Sequence, residues 1–283
     1  MRILITGGRG QLGRELQQAL SAETVLAQDL PELDITDAAA VGRAVRQFRP
    51  HVVVHAAAHT DTAGCEADPE LAMRVNGEGS RQVALACRKN WAAMLYVSTN
   101  EVFDGQKSEP YLESDEPKPI NAYGRSKLAG ERHVQSILDR FYILRTAWLY
   151  AAGGNNFPAK VLRAVANEGE LRFVTDEVAS PTWARDLAQA IARLIGRPTY
   201  GIYHLTNSGS CSRYQWAERI LELAGRGDVA LRPVVQAECD LPYRKPPYSE
   251  LANRAAAALG IVLRPWQEAL QEYFLTAPAG SGR

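Results

Sequence analysis

The chain has 283 residues, with 32 basic and 32 acidic side chains and a formal net charge of zero. That balance argues against a nucleic-acid or anionic-membrane partner, so a charged ligand has to be met by local groups. Cys65, Cys87, Cys211 and Cys239 lie far apart without C-x-x-C spacing, so neither a disulfide framework nor a metal centre is expected. The opening "MRILITGG" enters a strand pattern at once and no apolar run approaches the roughly 20 residues that span a bilayer, so a cytoplasmic protein is expected.

In chain order, "RILIT" reads as a strand, residues 12–20 as a helix, "TVLAQ" as a strand and residues 37–48 as a helix. "HVVVHAA" follows, then a helix over 69–89, the strand "AAMLYVS", a helix over 123–138 and "FYILRT". The strands are continuous apolar runs, as a parallel sheet covered on both faces requires. Their alternation with helices predicts a doubly wound, Rossmann-like α/β domain over residues 1–150.

"AAGGNN" breaks the alternation at 151–156. Beyond it lie a helix over 157–167, "LRFVTD", a helix over 182–194, "GIYHLT", a helix over 212–223 and the Pro-rich "LPYRKPPYS". Residues 151–283 are expected to be mainly a smaller substrate-binding region, with a segment near 172–205 returning to the first domain. The final "TAPAGSGR" reads as a frayed tail.

The turn after the first strand is "TGGRGQLG", in which Gly7, Gly10 and Gly13 form G-x-x-G-x-x-G, and Gly8, Gly10 and Gly13 form G-x-G-x-x-G. Between a strand and a helix such a loop lets the backbone approach a pyrophosphate at the helix N-terminus. Asp29, after the second strand, is placed either to accept from adenosine ribose hydroxyls or to stand as a solvated loop carboxylate. A carboxylate there favours NADH, and Arg9 in the loop offsets that for NADPH. Both cofactors stay open.

"AYGRSK" puts Tyr123 and Lys127 four residues apart, on one face of a helix. An ammonium beside a phenol favours the phenolate and is expected to lower the tyrosine pKa toward an acid–base catalyst's working range. Ser98 and Thr99 close the intervening strand, where open α/β sheets bind ligands. The carboxylates of "DGQKSEPYLESDEPKP" have no histidine or regular spacing beside them and read as a solvated loop.

In this order and spacing, "TGGRGQLG", "HAAAHTD", "STNEVFDG", "NAYGRSKLAGE" and "LRTAWLYAAGGNNF" resemble the extended short-chain dehydrogenase/reductase family. Within it they resemble the dTDP-4-dehydrorhamnose reductases. The resemblance runs from Arg2 to about Asp186 and continues weakly to "ALGIVLRPWQEAL". It implies NADH- or NADPH-dependent reduction of a ketone on a nucleotide sugar by a monomer or weak homodimer. Tyr123 is then the general acid, Lys127 the residue that binds the nicotinamide ribose, and Thr99, with Ser98, the hydrogen-bonding partner of the reacting carbonyl. Gly10, Gln11 and Leu12 face the pyrophosphate, Asp29 the adenosine ribose, and Asp34 with Ile35 the adenine. Ala58, His59 and Thr60 line the nicotinamide side, and Asn100 and Trp148 belong to the sugar site.

The family pattern at the end of the fourth strand is Ser-Thr-Asp-Tyr-Val-Phe, and here Asn100 and Glu101 replace the aspartate and tyrosine. His55 replaces an asparagine in the "NAAA" of the pattern. Glu15 matches one glutamate of a magnesium-bridged family dimer, but Arg185 occupies another such position, which argues against that dimer. The changes leave ketone reduction in place and open the identity of the sugar. A sister reductase, an epimerase that retains its cofactor, and a non-catalytic cofactor-binding subunit are the competing readings.

Overall fold

The computed structural model describes residues 1–165 and 170–276. Five central strands, β1 (Arg2–Thr6), β2 (Thr24–Gln28), β3 (Val52–His55), β4 (Ala93–Thr99) and β5 (Phe141–Thr146), are joined by an edge strand, Gly201–His204. Their order is β2-β1-β3-β4-β5-edge, and every neighbouring pair is parallel. Successive residues of one strand serve opposite layers. Ile3 and Ile5 join Val54, Leu95 and Leu144 under α1 (Gln11–Ala19) and the helix Ala184–Ile195. Leu4 joins Val53, Met94 and Ile143 under α2 (Ala38–Phe48) and the helix Ser80–Lys89. Burial on both faces is why these strands carry no polar alternation.

Strand order reverses direction at β1, so the carboxyl ends of β1 and β3 open a crevice there. The expected helix over 69–89 is Pro69–Ala72, a π-helical turn Met73–Gly79 and Ser80–Lys89 in succession. A short helix, Thr62–Ala67, precedes it.

A second cluster of Tyr150, Val161, Trp183, Trp216, Trp266 and Tyr273 forms the smaller lobe. The strand Glu170–Val174 pairs with Ala230–Val234 in that lobe, and residues 184–205 return to the sheet as a helix and the edge strand. The C-terminal helix Trp266–Thr276 packs into the second cluster. Of the expected tail only Thr276 is described, as the end of that helix, and 277–283 lie outside the described residues, as does 166–167 of the expected helix over 157–167. No helix among the described residues is long and apolar enough to cross a membrane.

Candidate active site

One cleft of about 1060 Å³ runs along the carboxyl ends of the strands, from the glycine loop to the smaller lobe. Gly7, Gly10, Gln11, Leu12, Gly13, Asp29, Asp34, Ile35, Ala58 and Thr60 line one half, and Ser98, Thr99, Asn100, Tyr123, Lys127 and Trp148 the other. His59 lies outside this lining, as do Gly8 and Arg9 of the glycine loop. Asn76, in the π-helical turn, holds its backbone, accepting from His59 N at 2.8 Å and donating to His59 O at 2.9 Å.

The glycine half fits a dinucleotide. A Cβ at Gly13 would meet Gly7 O at 2.1 Å, so the helix start closes on the turn only with glycine. A Cβ at Gly10 would meet protein only at Gly7 O, 3.2 Å away; its remaining surroundings are open cleft. Gly10 caps α1 without a side-chain hydrogen bond and no acidic residue stands in the first turn. The first N–H groups of α1 are therefore free for an anion. The Gln11 side chain is not: its Oε1 accepts from Ala151 N at 3.0 Å and Asn156 Nδ2 at 2.8 Å, tying the helix start to "AAGGNN".

Asp29 holds the loop, its Oδ2 accepting from Arg9 N at 2.9 Å and its Oδ1 from Leu30 N at 2.8 Å. Beside it Arg9 Nη2 pairs with Glu32 at 2.5 Å, both side chains largely exposed. Asp34 accepts from Thr36 N and Oγ1, and Leu33, Ile35, Leu71 and Val75 form an apolar wall.

Tyr123 and Lys127 lie on the helix Ala122–Ile137, capped by Asn121, whose Oδ1 accepts from Gly124 N at 2.8 Å. Lys127 is 2% exposed; its Nζ donates to Val97 O at 2.6 Å and lies 4.2 Å from the Tyr96 ring centroid. Burial pulls its pKa down to about 7, against the nearby Glu131 carboxylate, which favours the cation. Tyr123 moves up, from burial first and the Glu101 carboxylate next, while its hydrogen bond with Thr99 opposes the rise. The expected lowering of Tyr123 by Lys127 is absent: burial dominates the phenol, and Lys127, held to about 7 by its own burial, gives up its charge before the phenol titrates. Tyr123 is thus a firmly protonated donor.

Three departures from the family pattern have clear places. Asn100 is buried and its Nδ2 donates to Ser249 Oγ at 2.7 Å, joining β4 to the Pro-rich segment. Glu101 lines the cleft and accepts from Asn121 Nδ2 at 2.7 Å; burial raises its pKa, with Lys245 the main opposing influence. His55 is fully buried between Thr6 Oγ1 (2.6 Å) and Ser80 Oγ (3.0 Å). Since Ser80 donates to Asn76 O, its oxygen is left to accept from His55 Nε2–H. Burial, then Lys127, hold His55 near a pKa of about 3, so it is a neutral strut.

The smaller lobe adds a constellation the sequence did not reveal. Trp148, at φ 43°, stacks on Trp216 with centroids 5.3 Å apart, and the Arg213 guanidinium lies 3.6 Å from its ring centroid. Glu177 accepts from Arg213 at 2.9 and 3.0 Å and lies 3.5 Å from Lys245 Nζ. Burial raises the Glu177 pKa, but the two cations outweigh it and the net shift is downward. Arg213 and Lys245 thus stand at the far end of the cleft beside indole faces, with Glu177 between them and Glu101 within their electrostatic reach. Elsewhere Glu15 pairs with Arg185 at 3.6 Å, and no group of three potential metal-ligating side chains occurs among the described residues.

The family profile described as RmlD substrate binding domain matches residues 1–277. A dTDP-4-dehydrorhamnose reductase from Streptomyces griseus is 43% identical over 291 residues, covering 100% of this chain and 95% of its own. A dTDP-4-keto-6-deoxy-D-glucose reductase from Streptomyces niveus is 38% identical, covering 96% of each chain. Among solved structures, a dTDP-4-dehydrorhamnose reductase from Bacillus anthracis in complex with NADP superposes with a TM-score of 0.93 at 37% identity, covering 97% of this chain and 98% of that one.

Proposed function

This chain belongs to the RmlD substrate binding domain family, and from that premise we propose that it reduces the C4 ketone of dTDP-4-dehydrorhamnose to give dTDP-L-rhamnose. The observation that carries the reading is one continuous cleft joining a dinucleotide loop to Thr99, Tyr123 and Lys127 and then to Arg213 and Lys245.

Bound NADPH or NADH supplies the hydride that the ketone carbon takes up. Tyr123 gives its phenolic proton to the C4 oxygen, so that C=O becomes CH–OH, and the phenolate regains a proton from solvent. Thr99, at the end of β4, hydrogen-bonds the same oxygen and fixes the carbonyl against Tyr123. Lys127 is suited to the nicotinamide ribose: exchanging its bond to Val97 O for ribose hydroxyls brings its charge toward the phenolate as it forms. Arg213 and Lys245 meet the diphosphate, and Trp148 the sugar.

A sister reductase is the second reading, favoured by Glu101 in the cleft and by the Streptomyces niveus relative. Purified protein is incubated with NADPH, or NADH, and dTDP-4-dehydrorhamnose, and the product sugar is identified. Oxidation of one cofactor equivalent per dTDP-L-rhamnose formed supports the reading. Turnover only with a different 4-keto nucleotide sugar favours the sister reductase, and sugar interconversion without net cofactor consumption overturns both.

A further inference from the structure

At the end of the sheet opposite the cleft, β1, β3, β4 and β5 begin side by side. Arg2 opens β1, His51 precedes β3, Trp91 stands just ahead of β4, and Arg140 immediately precedes β5. With Arg46 and Arg49 from the end of α2, these residues line a depression of about 370 Å³ to which Pro50 and Asn90 also contribute. No carboxylate is in that lining. None of the four arginines makes an ion pair among the described residues.

Four like charges around one hollow repel one another, and a chain of zero net charge has no general surplus of cations to explain them. The carboxyl ends of α2 and of Ser80–Lys89 favour cations nearby, but Arg46, Arg88 and Lys89 in their last turns meet that need. Arg2 comes from β1 and Arg140 from the residue before β5 instead. They are also braced: Arg2 Nε donates to Arg49 O at 2.8 Å, and Arg140 donates to Tyr200 Oη at 3.0 Å and Trp91 O at 3.1 Å. Bracing one side of each guanidinium lowers the entropic cost of engaging its remaining N–H groups. Trp91 is 83% exposed on a left-handed backbone at φ 55°, an unusual posture for a bulky residue. Its free indole face flanks the arginines.

We propose that this depression is a second ligand site, binding a di- or triphosphate group, either of a nucleotide whose base stacks on Trp91 or of inorganic polyphosphate. Arg46 and Arg49 make no side-chain hydrogen bond among the described residues, so Arg46→Gln with Arg49→Gln removes charge without undoing packing.

The test titrates the NADPH-saturated protein with GTP and, separately, with tripolyphosphate, by calorimetry and tryptophan fluorescence. Saturable binding that weakens at least about tenfold in the double glutamine variant, with an unchanged urea midpoint, is the expected result. Trp91→Phe then weakens GTP alone if the ligand is a nucleotide, and neither probe if it is bare polyphosphate. Failure of both probes to saturate, or equal binding to the double variant and wild type, overturns the proposal.

Discussion

Ser98 Oγ donates to Glu131 Oε1, a bond between the end of β4 and the helix Ala122–Ile137 that is wholly shielded from solvent. Glu131 also takes Arg145 in two bonds, at 2.9 and 2.7 Å, and its charge favours the Lys127 cation. The hydroxyl proton of Ser98 is therefore committed beneath the cleft, whereas Thr99 Oγ1, in the cleft lining, donates a long 3.3 Å bond to Asn100 Oδ1.

Replacing Glu131 by Gln strands Arg145 as a buried cation. A loss of roughly 3–5 kcal/mol of stability is expected, read as a lower urea midpoint. A midpoint within error of wild type would remove the pair from the account of how β4 and the helix are held.

Burial of the Lys127 ammonium lowers stability. Its pKa is near 7 in the fold and ordinary in the unfolded chain. Below pH 7 both states are charged and the folded protein carries the whole burial cost, on the order of a few kcal/mol. Above pH 7 the folded lysine releases its proton first, so the cost declines as pH rises toward 10. Lys127→Met should accordingly be more stable than wild type, by more at pH 6 than at pH 9, while losing activity. Thermal melts at the two pH values check this; a gain that grows with pH would contradict it.

Arg9 is engaged by Glu32 beside the place expected for the adenosine ribose. Freeing it should favour the cofactor that carries an extra phosphate. Glu32→Gln is expected to raise kcat/KM for NADPH relative to NADH by roughly threefold, the scale of an exposed ion pair. Steady-state kinetics with both cofactors decide, and a shift toward NADH would show that Arg9 does not meet that phosphate.

Glu101 places a carboxylate in the cleft within electrostatic reach of Lys245 and Arg213, the cations proposed to meet the diphosphate. Glu101→Gln keeps the acceptor for Asn121 and removes the charge. KM for the nucleotide sugar is expected to fall several-fold with kcat little changed. An increase in KM would mean that Glu101 accepts a hydrogen bond from the sugar.

What was legible in the sequence is what short-range pattern encodes. The turn "TGGRGQLG" lies between β1 and α1, and Tyr123 and Lys127 share one helical face, because both features are local in the chain. Arg213, Glu177 and Lys245 were illegible because only the folding of the smaller lobe brings these distant residues together. The π-helical turn hid for another reason: its extra residue is invisible to a 3.6-residue period, though it places Asn76 on the His59 backbone. Helix Thr62–Ala67 is too short to show a period at all. The direction of the Tyr123 shift also escaped, since i, i+4 spacing shows that Lys127 is near but not how deeply both side chains are buried or that Glu101 faces the phenol.

The central claim is that Tyr123 donates the proton that completes ketone reduction. The most direct test is single-turnover oxidation of NADPH by Tyr123→Phe with saturating dTDP-4-dehydrorhamnose, beside a titration of NADPH binding. The account predicts a rate lower by roughly 10²–10⁴-fold, the usual contribution of a positioned acid, with cofactor affinity within a factor of a few of wild type. Oxidation by the phenylalanine variant at the wild-type rate would contradict it.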